Sequence, residues 1–104
     1  MADNRKHPRK AAHPPVAFQV GDGPREDARC RDISLGGAFL ETTRKFAYEA
    51  RVSVFVFLPA LKAETRVESV VRWSTSEGMG VQFGVMGAKE TAALVELLAA
   101  TGDE

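Results

Sequence analysis

Asp32-Ile33-Ser34-Leu35-Gly36-Gly37-Ala38-Phe39-Leu40 decides how the rest of the chain is read. It sets a carboxylate, a hydroxyl and two glycines just ahead of an apolar run. Asp and Ser hydrogen-bond neighbouring backbone groups and favour turns. Glycine takes positive φ freely and lets other groups approach the backbone. The stretch therefore predicts a strand, a tight turn and a second strand. It also forms a small polar cup without bulky side chains at its mouth.

On the N-terminal side, Val16-Ala17-Phe18-Gln19-Val20 alternates apolar residues at 16, 18 and 20, as a half-buried strand does. Gly21-Asp22-Gly23-Pro24 is a turn cluster. Arg25 to Ile33 reads as the return strand. Ala28 and Cys30 share one face, with Cys30 as a small core residue and free thiol, and Arg29 and Arg31 share the other, where solvation or salt bridging is expected. Ala38 to Thr42 is the next strand and Arg44 to Arg51 a loop.

Val52 to Leu58 is nearly all apolar and ends at Pro59, which predicts a central strand packed on more than one side. Val67 to Ser74 follows, with Val67, Ser69, Val71 and Trp73 on one face; Trp73 is assigned to the core. Met79, Val81 and Phe83 alternate after a polar turn. Ala88 to Ala100 changes period: Thr91, Leu94, Val95 and Leu98 make an amphipathic helical stripe, and Gly102 suits the position after the helix end. No internal repeat stands out. About six short strands and one terminal helix predict a mainly β fold, a small six-stranded antiparallel β-barrel with one C-terminal α-helix.

The composition fits one domain: 104 residues, 44% hydrophobic. Residues 1–15 read as a basic arm and 16–104 as barrel plus helix. The arm holds Arg5, Lys6, Arg9 and Lys10, while the whole chain balances 14 basic against 14 acidic residues. That balance speaks against coating nucleic acid, and exposed aromatic platforms are sparse. No apolar run approaches the roughly 18 residues of a membrane span, and the N-terminal residues lack an apolar secretory core. With one cysteine and no internal disulfide, a cytoplasmic location is expected. His7 and His13 are not at metal-ligand spacing, no carboxylate pair stands out, and Ser34 has no base nearby in sequence. Neither a metal, a cofactor nor a catalytic residue is therefore expected.

Arg5-x-x-x-Arg9 followed by Asp32-x-Ser34-x-x-Gly37 resembles the PilZ domain family, bacterial receptors for cyclic di-GMP. Gly78-Met79-Gly80-Val81-Gln82-Phe83 also looks like that family's last barrel strand. The resemblance implies cyclic di-GMP as ligand and Arg5, Arg9, Asp32, Ser34 and Gly37 as ligand-binding residues. Arginine suits such a ligand, because its planar fork grips phosphate or the guanine edge and its flat face stacks on a base. The carboxylate of Asp32 can accept from guanine N–H groups, and Ser34 can donate to an oxygen. The implied function is a stand-alone second-messenger receptor that signals to an effector protein still to be identified, or through a homodimer formed with the ligand. The alternative is a protein-interaction adaptor of the same fold that does not bind the nucleotide.

Overall fold

The computed structural model describes residues 15–101, with side chains through Ala99. The order is β1 (Pro15–Val20), β2 (Arg25–Ile33), β3 (Gly37–Glu41), β4 (Arg51–Leu58), a 3₁₀ turn (Pro59–Leu61), β5 (Ala63–Ser74), β6 (Gly78–Phe83) and α1 (Ala88–Thr101). The strands close into a barrel in the order β1-β2-β3-β6-β5-β4, with every neighbouring pair antiparallel. Closure leaves no sheet edge among the described strands. Pro15 opens β1, where a residue without an N–H costs the ladder least.

Period-2 alternation builds the interior. Val16, Phe18, Leu40, Val52, Val54, Val56, Leu58, Val67, Val71, Met79, Val81 and Phe83 point inward and are buried. Each large side chain so buried stabilises the fold by about 1.5–3 kcal/mol. Cys30 joins them at 0% exposure. Burial pushes its thiol up to about 12, with the nearby Asp32 charge a lesser cause.

Three expectations change on contact with the structure. β4 packs on one side only. Of its outward residues, Phe55 lies under Arg25 and Arg66 and Ser53 is capped by Glu68, while Phe57 is 47% exposed. Its uniform apolarity reflects stacking with guanidinium groups rather than a second protein layer. In α1 the buried stripe is Ala93 and Leu94 with Leu97 and Leu98 packed beside them, and Val95 is 45% exposed. The helix is rotated from the expected stripe because it packs on the 3₁₀ turn and β4. Trp73 is the third. It stands outside the barrel, 54% exposed.

Trp73 is turned out by a register shift. On β5 the pairing with β6 skips from Val71 to Trp73, so Arg72 is an extra residue. An identical shift on β2 against β3 skips from Cys30 to Asp32 and makes Arg31 the extra residue. A bulge lets two successive residues oppose one and re-aims the side chains beyond it. Strict alternation would put Asp32 with Cys30, and Trp73 with Val71, inside the barrel.

The two bulged hairpins correspond residue by residue, 41 positions apart (37 to 78). β3 and β6 pair antiparallel with Phe39 opposite Gly80, Gly37 opposite Gln82 and Glu41 opposite Gly78. A local two-fold through the Phe39–Gly80 pair therefore exchanges the hairpins. Ser34 N–H donates to the Gly37 carbonyl at 2.8 Å, and Thr75 N–H to that of Gly78 at 2.7 Å. The Ser34 hydroxyl accepts from Gly36 N–H at 3.2 Å, and that of Thr75 from Glu77 N–H at 3.0 Å. Each tip is then pinned to the other hairpin, Gly36 by Phe83 N–H and Glu77 by Thr42 N–H. This correspondence is the internal repeat that composition and periodicity did not expose.

β3 reaches β4 through residues 42–50, which carry Phe46 edge-on against Phe18 at 5.8 Å between ring centres. Glu49, whose φ is 70°, then donates its N–H to the Val71 carbonyl, and Val71 N–H donates to the Ala50 carbonyl.

Candidate functional site

The β2–β3 turn opens onto a cleft of about 540 Å³ on the outer wall of the barrel. Arg31, Asp32, Ser34, Gly36 and Gly37 form one rim; Arg72, Trp73 and Gln82 form the other, with Phe39 between them. Both bulges contribute, because each turns a polar or aromatic residue out to this wall. A second cleft, about 560 Å³, lies between the 3₁₀ turn, β5 and the start of α1. It contains none of the residues singled out from the sequence.

Asp32, Ser34 and Gly37 are thus brought together. The Asp32 carboxylate is half-buried and has no hydrogen bond or ion pair among the described residues. It is an unspent acceptor facing the cleft. The Ser34 hydroxyl is exposed and turned toward the Gly37 carbonyl at 3.4 Å, a weak contact that a better acceptor can displace.

The glycines work differently from expectation. Neither Gly36 nor Gly37 has positive φ; among the described glycines only Gly21 does. A Cβ on Gly37 would lie 2.2 Å from the Val81 carbonyl oxygen, so the space beside it is filled by β6 rather than kept for a ligand. Gly36 is the open position, with nothing within 4 Å of where its Cβ would stand. Arg5 and Arg9 lie outside the described residues.

Sequence reasoning missed three members of the cleft: Trp73, Arg72 and Gln82. Trp73 lies across Gly80, where a Cβ would meet the indole at 2.2 Å, and stacks on Phe39 at 6.5 Å with 27° between planes. Gly80 thus lets the indole lie flat on the sheet with its outer face open. Arg72 donates through Nε to Gln82 Oε1 at 2.6 Å and through Nη1 to the Tyr48 hydroxyl at 3.2 Å and Glu49 at 3.4 Å. The one available signal was the pattern Arg-x-x-hydroxyl-x-x-Gly, present at Arg31-Ser34-Gly37 and again at Arg72-Thr75-Gly78.

Arg31 is paired, as expected from its strand face. Its guanidinium lies 4.6 Å from the Phe39 ring centre and bonds Glu41 and Glu77, both at 3.1 Å. Those carboxylates, Glu41 first, hold it still more firmly in the charged form. Among the described residues no cluster of three or more His, Cys, Asp or Glu could hold a metal ion. No described helix is long and apolar enough to cross a membrane.

The PilZ domain model matches residues 3–100, and the chain belongs to the PilZ domain family. Solved structures agree on the fold. The PilZ domain of CeSA from a cellulose-synthesizing bacterium superposes with a TM-score of 0.70 at 15% identity, over 92% of this chain and 97% of that one. The Bacillus subtilis inhibitor of motility MotI/DgrA gives 0.70 at 20% identity, over 95% and 51%. The K. pneumonia MrkH–c-di-GMP complex gives 0.67 at 19% identity, over 95% and 52%. The chain spans about half the length of MotI/DgrA and of MrkH. No curated protein sequence matches it.

Proposed function

We propose that this PilZ domain is a receptor for cyclic di-GMP, binding it in the cleft between the β2–β3 turn and Trp73. The observation that carries the reading is the meeting in one cleft of a carboxylate unpaired among the described residues, an exposed hydroxyl held only by weak turn contacts, and an open aromatic face. Asp32 accepts from guanine N1–H and N2–H₂, and Ser34 donates to a ligand oxygen. Trp73 offers its outer face to a base, with the Gly80 backbone beneath the indole and the Phe39 ring 6.5 Å away between ring centres. Arg5 and Arg9 supply cations for phosphate and a second stacking surface. The MrkH complex, a neighbour in fold solved with this dinucleotide, supports the choice of ligand.

The receptor acts without chemistry of its own. Engagement of Arg5 and Arg9 by the ligand changes the surface presented to an effector protein. A bacterial, cytoplasmic setting goes with that messenger. Calorimetric titration with cyclic di-GMP tests the proposal, with Arg9→Ala expected to weaken binding about tenfold to a hundredfold. Absence of heat at high micromolar ligand, with folded protein, replaces the receptor by an adaptor that does not use the nucleotide.

A further inference from the structure

The local two-fold that relates the hairpins also relates their arginines, and the two differ in the charge of their partners. Arg31 uses Nε to bond Glu41, and Arg72 uses Nε to bond Gln82, the equivalent position. Arg31 uses Nη2 to bond Glu77, which sits on the tip of the opposite hairpin. The position equivalent to Glu77 is Gly36, on the tip that faces Arg72. Gly36 has no side chain and open space around it, and Arg72 Nη2 has no partner among the described residues. Arg31 therefore carries two carboxylates. Arg72 carries one amide, one phenol and a single exposed carboxylate, Glu49, at 3.4 Å.

We propose that Arg72, facing the Gly36 tip, is an anion subsite of the cleft that takes a phosphate of the bound dinucleotide. The inference rests on the cyclic di-GMP reading above and adds to it a residue and an orientation. The Glu77 carboxylate shows within this molecule where an anion sits against such an arginine: at Nη2, over the tip of the neighbouring hairpin. On the Arg72 side that place opens into the cleft, and both Gly36 and Arg72 line it. A phosphate oxygen there receives a charge-assisted bond from a guanidinium already oriented by Gln82 and Tyr48. The opposite rim, where Asp32 joins the doubly neutralised Arg31, repels phosphate and suits the N–H edge of guanine. The ligand lies with a base toward Asp32 and a phosphate toward Arg72, spanning Trp73. Glu49 is the internal competitor for Arg72.

The test is a set of calorimetric titrations with cyclic di-GMP at two ionic strengths, each variant first shown by thermal melting to be folded. Arg72→Gln should weaken binding about tenfold and make its salt dependence shallower, because one screened charge contact is gone. Gly36→Glu should supply the missing carboxylate and weaken binding at least as much, while Gly36→Gln, of the same size, weakens it less. Glu49→Gln should tighten binding up to about fivefold, and should do so only while Arg72 is present. If the wild type binds but Arg72→Gln binds equally well with unchanged salt dependence, the subsite is wrong and the receptor reading stands. If the wild type does not bind, both fall.

Discussion

The hairpins β2–β3 and β5–β6 are built alike and equipped differently. Each has a bulged arginine, a hydroxyl residue that caps the turn, and a glycine that must let the partner strand pass. The parts that make the turn are retained in both: Ser34 and Thr75, Gly37 and Gly78. The parts that face outward diverge. Asp32 corresponds to Trp73, Phe39 to Gly80, Glu41 to Gln82 and Gly36 to Glu77. One hairpin contributes an acceptor and an open tip; the other contributes an aromatic face and a carboxylate that closes its own tip. The comparison separates what the barrel requires from what the cleft requires, because a purely structural position has no reason to differ across the two-fold.

The glycines should show the largest effect and the closest agreement between hairpins. A Cβ on Gly37 meets the Val81 carbonyl oxygen at 2.2 Å, and one on Gly78 meets that of Leu40 at 2.3 Å. Gly37→Ala and Gly78→Ala should each destabilise by about 1–3 kcal/mol or more, read by urea denaturation. A mild effect at one and a severe effect at the other would break the equivalence.

Trp73→Ala removes the aromatic face at a half-exposed position. Cyclic di-GMP affinity should fall about fivefold to 150-fold, corresponding to roughly 1–3 kcal/mol for one stacked base, while the barrel stays folded. Unchanged affinity by calorimetry would remove Trp73 from the site. Gln82→Glu gives Arg72 the carboxylate partner that Arg31 already has in Glu41. It should weaken binding about threefold to tenfold, by charge competition alone; tighter binding would contradict the role of charge on that rim.

The turn hydroxyls divide the two roles most cleanly. Ser34→Ala and Thr75→Ala should each cost about 0.5–1.5 kcal/mol of stability or slightly more at Thr75, since the Ser34 hydroxyl accepts one turn N–H and that of Thr75 accepts two. Only Ser34→Ala should also reduce ligand affinity, and equal losses of affinity would move the site off the β2–β3 turn.

Cys30 and Val71 occupy equivalent places ahead of the bulges, and their difference is invisible at neutral pH. Burial raises the Cys30 thiol from 9.0 to about 12. Below 9.0 the thiol keeps its proton in both folded and unfolded chains, and no stability depends on it. Between 9.0 and about 12 the unfolded chain releases that proton while the native protein holds it, so stability falls as pH rises through that window. Cys30→Val should flatten the fall of the melting temperature across that window; an unchanged slope would show that the thiol is not shielded.

Much of the barrel was legible in sequence because burial on one wall imposes period 2. Phe18, Val54 and Val81 announce their strands whatever surrounds them. The turn at Ser34–Gly37 was legible for a similar reason, since its hydroxyl and glycine act on backbone a few residues away. Trp73 was misplaced and Arg72 passed over because a bulge has no residue code of its own. It arises when two strands of fixed register must also twist around a closed barrel.

By itself, then, the sequence determined the local chemistry: which segments extend, where the chain reverses, and that Asp32, Ser34 and Gly37 stand within one turn. Tertiary structure alone decided what faces that turn. Closing β3 against β6 brought a residue 41 positions away onto the same wall, and the register of that pairing turned Trp73 outward. It also decided which of two equivalent arginines would be neutralised. The nearest carboxylates to each are contributed by other strands and loops, and no spacing along the chain records that proximity.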